Sequence, residues 1–228
     1  MKNIKHVFFD LDHTLWDYEK NSIETLTDLV YKFGIDKQVT VEKFLKVYQS
    51  VNEKLWHKFN NGQIDKAHIQ QYRFPQVLRK LKVYIDHEPS DLSDYFINNC
   101  SIKPGLMPHT LTALNYLKEK YPMAIISNGF PEAQHPKMKS SGLDQYFDKV
   151  IISELVGWRK PQPEIYQHAL SEMNASAATS VMIGDNPKTD IRGAEQAGLK
   201  AIFYNPTGNR KSVTEWEIQS LEELVGIL

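Results

Sequence analysis

The sequence holds a single cysteine, Cys100, so no intramolecular disulfide can form and stability has to come from packing. It contains no apolar run approaching the roughly 20 residues that a bilayer-spanning helix needs, which excludes a span of that kind. It has no surplus of either charge, with 28 acidic against 27 basic residues. No overall field therefore draws it to nucleic acid or to an anionic membrane surface. Internal repeats and low-complexity segments are lacking, and His87 and the other histidines show no metal-ligand spacing. The chain passes from Met1-Lys2 into a short strand without a secretory apolar segment or cleavage site. These absences lead us to expect a soluble cytoplasmic protein, a monomer or homodimer, whose partner is a small molecule.

What is present centres on Val7-Phe8-Phe9-Asp10-Leu11-Asp12-His13-Thr14-Leu15. Ile4 to Phe9 is short, β-branched and aromatic, which suits a buried strand. Asp10 and Asp12 leave its carboxyl end two residues apart, a spacing that aims both acids the same way. Like charges at that distance repel unless a cation lies between them or one acid holds a proton. Turn or helix-capping roles would serve an isolated aspartate equally well.

From Trp16 to Asn99 the apolar residues recur at helical spacing. Ile23, Leu26, Leu29, Val30 and Phe33 mark one helix, stopped at Gly34. Phe44, Val47, Tyr48, Val51, Leu55 and Phe59 mark a second, stopped at Asn60-Asn61-Gly62. Asp65 caps a third, in which Pro75 must sit at a kink or junction, and Ser90-Asp91 opens a fourth.

From Pro104 onward, strands alternate with helices, the signature of a parallel sheet with helical crossovers. Strands are expected at 123–127, 150–153, 181–184 and 201–204. Helices are expected at 108–120, 133–140, 164–173, 190–197 and 221–227, with Pro206 to Trp216 as a loop. The fold class is α/β, a Rossmann-like parallel sheet spanning 1–15 and 100–228 with an α-helical cap domain inserted at 16–99. Ligands of such open sheets bind at the carboxyl ends of the strands, where Asp10, Asp12, Ser127, Asn128 and Asp185 fall.

Ser127-Asn128-Gly129 offers a hydroxyl, an amide and backbone N–H groups that suit an anion, and serves equally as an ordinary turn. Lys160 lies in Gly157-Trp158-Arg159-Lys160-Pro161-Gln162-Pro163, where two prolines stiffen the backbone around it. A held ammonium clamps phosphate and balances carboxylates, although a solvated surface lysine is the commoner case and Arg159 competes for the role. Gly184-Asp185-Asn186-Pro187-Lys188-Thr189-Asp190 adds hard oxygen donors of the kind magnesium takes, or two capping aspartates.

Together these motifs resemble the haloacid dehalogenase superfamily. Asp10-Leu11-Asp12-His13-Thr14 is similar to its first motif, Ser127 to the second, Lys160 to the third, and Asp185 with Asp190 to the fourth. The resemblance implies phosphoryl transfer with one magnesium ion (Mg2+). Asp10 would attack phosphorus and form an aspartyl-phosphate, and Asp12 would act as general acid and then base. Metal ligands would be Asp10, Asp12 through its backbone carbonyl, and Asp185, with Asp190 holding a metal-bound water or orienting Lys160. Thr14, Ser127 and Asn128 would meet the substrate, and Lys160 would balance its phosphate charge. Displacing halide needs no proton, so Asp12 favours phosphate chemistry over dehalogenation.

Tyr48 to Trp56, Asn60 to Ile64 and Ser127-Asn128-Gly129-Phe130 are similar to the pyrimidine 5'-nucleotidases of the superfamily. Trp56 would stack on a base and Asn52 meet its polar edge; simple packing of the cap accounts for Trp56 as well. His13 and Trp158 depart from the residues frequent at their places and would line the pocket mouth. The expected substrate is a phosphomonoester, foremost a nucleoside 5'-monophosphate. Sugar phosphates, phosphoglycolate or a flavin nucleotide, a phosphomutase reaction, and a non-catalytic binding protein stand as alternatives.

Overall fold

The computed structural model describes residues 1–211 and 213–228. The chain divides into two units, one of Met1–Tyr18 with Pro104–Leu228 and one of Glu19–Lys103. The expected divisions after 15 and before 100 both fall a few residues earlier than the observed ones. The displacement has a physical cause: Trp16 forms bridges to Asp12 and Leu106, and the Asp17 N–H donates to the Gly105 carbonyl at 3.0 Å. The outgoing and returning connections are thus tied together beyond the first strand.

That strand, β1 (His6–Phe9), buries Val7, Phe8 and Phe9 completely. Each such side chain contributes about 1.5–3 kcal/mol relative to exposure. The helical unit follows, with α1 (Tyr18–Lys32), α2 (Val41–Asn60), α3 (Lys66–Leu81) and α4 (Pro89–Cys100). Thr40 caps α2 by accepting from the Lys43 N–H, and Asp65 caps α3 by accepting from His68. α3 runs through Pro75 without a break, since the buried Phe74, Val77 and Leu78 on either side outweigh one missing hydrogen bond. α4 starts from Glu88 with Pro89 in its first turn rather than from Ser90, because proline's fixed φ suits that position. Cys100 is buried and forms no disulfide.

Inside this unit Tyr48, Phe74 and Phe96 surround the guanidinium of Arg73, which lies 4.8 Å from the Phe96 ring centre. Among the described residues, no helix is long and apolar enough to cross a membrane.

The other unit continues with α5 (Thr110–Lys118), β2 (Met123–Ser127), α6 (Pro131–Ser140), β3 (Lys149–Ile152), α7 (Ser153–Val156) and α8 (Pro163–Glu172). β4 (Ser180–Gly184), α9 (Gly193–Gln196), β5 (Lys200–Tyr204), β6 (Glu217–Ile218) and α10 (Leu224–Ile227) complete it. The sheet is parallel throughout in the order β3-β2-β1-β4-β5-β6. β1 is therefore central, and the strand order reverses beside it, where open parallel sheets bind ligands. Phe8, Ala124, Ile126, Ile151 and Met182 pack with Ile165, Tyr166, Ala169 and Ala194 of α8 and α9.

Two local expectations fail for identifiable reasons, and one short strand is added. His109 adopts φ 63°, so α5 begins at Thr110 rather than 108. Asn186 accepts from the N–H groups of both Lys188 and Thr189, so a π-turn over Pro187–Arg192 replaces the first part of the helix expected at 190–197. β6, which the sequence did not announce, follows the expected 206–216 loop and pairs Phe203 with Glu217 and Tyr204 with Ile218. Position 212 of that loop lies outside the described residues.

Candidate active site

The register that pairs Phe9 with both Ile125 and Ile183 brings the carboxyl ends of three strands level. Asp10 leaves β1, Ser127 ends β2 and Asp185 follows β4. Lys160 comes from the segment between α7 and α8, and Asp190 from the π-turn after β4. Sequence distance is thereby converted into a single cluster.

Carboxylate oxygens of Asp10, Asp185 and Asp190 lie within 4.8 Å of one another. Lys160 Nζ lies 2.6 Å from Asp10 Oδ1 and 2.8 Å from Asp190 Oδ1, and its side chain is almost wholly buried. Burial disfavours that charge, and the two carboxylates outweigh burial, holding the ammonium well above the ordinary lysine range. Asp190 Oδ2 also accepts from the Asn186 N–H at 2.9 Å, and Tyr166 donates its hydroxyl to the Thr189 carbonyl. A Cβ on Gly184 would come within 2.5 Å of Asp190 Oδ2, so the acid occupies space that only glycine leaves.

Burial pushes Asp10 well above the usual carboxylate range; Lys160 opposes this, and the charges of Asp190 and Asp185 add to it. Asp185 is raised likewise by burial, against the opposing influence of His13 and Arg210. Three acids, two of them buried, face the buried Lys160 ammonium, with the exposed Arg210 as a further partner of Asp185, and hard oxygen donors so close together fit magnesium. Asp10, Asp185 and Asp190 would hold it. The Asp12 carboxylate stands apart from this donor set, so any share it has in the metal falls to its main chain, as the resemblance implies.

Asp12 is gripped from the other side. Lys137 Nζ lies 2.6 Å from its Oδ1, and Gln134 Nε2 donates to its Oδ2 at 2.8 Å. Burial alone would raise this acid; the Lys137 charge and the two hydrogen bonds outweigh it and hold the acid below the ordinary value. Neither Gln134 nor Lys137 was visible as a site residue in the sequence. The signal that would have found them is their spacing, three residues apart at the start of the helix that follows Ser127. Arg210 is also unforeseen: it donates to the Asp185 carbonyl at 2.6 Å and to its Oδ2 at 3.1 Å.

Thr14 is buried and donates to Asp10 Oδ2 at 3.4 Å. Asn128 spans the Lys160 backbone, its Nδ2 donating to the carbonyl at 2.9 Å and its Oδ1 accepting from the N–H at 2.8 Å. Its amide thus holds the lysine at its main chain. Asn52 and Trp56 belong to the helical unit. Asn52 is buried and accepts from Arg73 at 3.3 Å; Trp56 is half-buried, its ring edge-on to Phe59 with centres 5.4 Å apart.

The sequence is 33% identical over 226 residues to the pyrimidine 5'-nucleotidase YjjG of Escherichia coli, covering 97% of this chain and 96% of that protein. It is 30% identical to the glyceraldehyde 3-phosphate phosphatase of Pyrococcus furiosus, over 90% of this chain and 82% of that one. Among solved structures, the HAD-hydrolase YfnB of Bacillus subtilis, bound to magnesium, superposes with a TM-score of 0.89 at 26% identity, over 99% of each chain. Residues 4–198 match the haloacid dehalogenase-like hydrolase family, and the chain belongs to it.

Proposed function

We propose that the protein is a magnesium-dependent phosphomonoesterase that works through an aspartyl-phosphate on Asp10, with a pyrimidine nucleoside 5'-monophosphate as its foremost substrate class. The observation that carries this reading is the separation of two kinds of acid. Asp10 lies with Asp185, Asp190 and Lys160, whereas Asp12 is held apart by Lys137 and Gln134.

A carboxylate oxygen of Asp10 forms the new bond to phosphorus while the ester P–O bond breaks. Asp12, protonated, gives its proton to the leaving oxygen. A phosphate dianion arriving beside Asp12 favours that protonation, because a like charge disfavours the ionised acid. Asp12, now ionised, then takes a proton from water as the water oxygen attacks the phosphorus of the aspartyl-phosphate. Phosphate leaves and Asp10 regains its carboxylate. Lys160 balances the transferring charge and Ser127 donates a hydrogen bond to it. The metal, when bound, would supply positive charge against the phosphate oxygens.

The nucleotide preference is supported by the 33% identity to a pyrimidine 5'-nucleotidase across nearly the whole chain. The likeness to a glyceraldehyde 3-phosphate phosphatase supports a second reading, a small sugar phosphate. Phosphate release from nucleoside monophosphates, sugar phosphates, phosphoglycolate and flavin mononucleotide, each with magnesium and with chelator, separates them. A preference for pyrimidine monophosphates is expected. Release from sugar phosphates alone would keep the chemistry and discard the nucleotide; no release from any would discard both.

A further inference from the structure

α6 follows directly on the carboxyl end of β2, and its residues 134 and 137 share a face one turn apart. Gln134 is fully buried. Its Nε2 donates to Asp12 Oδ2 at 2.8 Å and to Ser127 Oγ at 2.6 Å, so both amide hydrogens are used. Turning the amide over would set its oxygen against the Asp12 carboxylate, acceptor against acceptor, so this orientation is the one that the neighbours allow. Its cost is visible: Gln134 Oε1 is buried with no hydrogen-bond partner, a loss of about 1–3 kcal/mol. A Cβ on Gly129 would lie 2.2 Å from Gln134 Nε2, so Gly129 supplies the room in which the amide sits.

The consequence falls on Ser127. Its Oγ accepts from Gln134 Nε2 and from the Gly129 N–H at 3.0 Å. A hydroxyl has two acceptor positions and one donor; both acceptor positions are filled, and its proton is left for an incoming acceptor. Lys137 does the matching work on Asp12. Its buried Nζ holds Oδ1 at 2.6 Å and lies 4.5 Å from the Trp16 ring centre, so the second carboxylate oxygen is fixed too.

We infer that Gln134 and Lys137 are positioning residues: Gln134 leaves the Ser127 hydroxyl able only to donate to a phosphate oxygen, and the two together fix the Asp12 carboxylate for proton transfer. This rests on the phosphomonoesterase reading.

The test compares kcat/KM for an alkyl phosphate, whose leaving oxygen needs a proton, with that for dinitrophenyl phosphate, whose leaving oxygen does not, all with magnesium. Lys137→Met is expected to lose about tenfold to a hundredfold more on the alkyl ester, a share of the usual acid–base contribution, and Lys137→Arg to regain most of it. Gln134→Met is expected to show the same bias and to weaken inhibition by inorganic phosphate about tenfold. Where Gln134→Met fails to fold, Gln134→Glu, of the same size, is held to the same two criteria. Equal losses on both esters, or phosphate inhibition unchanged in the Gln134 variant, would overturn the inference alone. Wild-type protein that releases no phosphate from either ester would remove the phosphomonoesterase reading, and this inference with it.

Discussion

Asn128 holds Lys160 by its main chain, one end of the amide on the N–H and the other on the carbonyl. The two residues are far apart in sequence and lie in the segments after β2 and after β3. A lysine with a long flexible stem is thereby fixed at its root as well as at its ammonium.

Asn128→Ala should therefore reduce kcat on a generic aryl phosphate by about tenfold to a hundredfold, the usual result of a modest misplacement of a reacting group, while the melting temperature changes little. Steady-state kinetics beside a thermal melt checks this. A rate within error of wild type would mean that Pro161 and Pro163 suffice to place the lysine.

Asp10→Asn should abolish turnover, and Asp12→Asn should lower it by about two to four orders of magnitude. Single-turnover measurements would show phosphate retained on Asp12→Asn protein and none on Asp10→Asn protein. Near-normal rates in Asp12→Asn would remove that residue from proton transfer.

Lys160→Met should destabilise the metal-free protein by about 3–5 kcal/mol, because it leaves Asp10 and Asp190 buried without their counter-charge. Chemical denaturation in chelator measures the loss, and magnesium should restore part of it. Stability unchanged in chelator would mean that the acids had taken up protons instead.

Asp10 and Asp185 hold their protons to higher pH than in the unfolded chain. Their share of stability in metal-free protein is thus present at low pH and lost as pH rises through the raised values. Magnesium competes with those protons, so its stabilising effect should be small near the ordinary carboxylate range, about pH 4, and grow toward neutrality. Melting temperatures with magnesium and with chelator across that range test this. An increment that does not vary with pH would argue against the three-acid metal site.

Trp56→Ala should lower turnover of nucleoside monophosphates more than that of an aryl phosphate, if its ring meets a base. Equal loss on both would reduce Trp56 to its packing against Phe59.

The parts of the fold that were legible in the sequence are those set by short-range periodicity. The buried β1, the helical face of α2 and the Asp65 cap of α3 each rest on residues within a few positions of one another. Asp10, Ser127, Lys160, Asp185 and Asp190 were legible because each stands where an apolar run stops or proline stiffens the chain. Gln134 and Lys137 were not, since a glutamine and a lysine in a polar helix look solvated until the strand beside them is known. The hold of Asn128 on Lys160 was not legible either, because the two residues are remote in sequence. β6 is two residues long, too short to carry an alternating pattern.

The bridges from Trp16 to Asp12 and Leu106, with the Asp17 to Gly105 hydrogen bond, close the sheet-bearing unit across the point where the helical unit is inserted. The Met107 N–H and the Thr110 hydroxyl add to that closure by donating to the Leu15 carbonyl. Because the two ends of the insert are pinned side by side, the chain between them has no closure left to supply, and the entropy of a longer loop rises only slowly with its length. Descendants of such a protein can lengthen, trim or exchange the inserted helices while the sheet that carries the acid cluster keeps its shape.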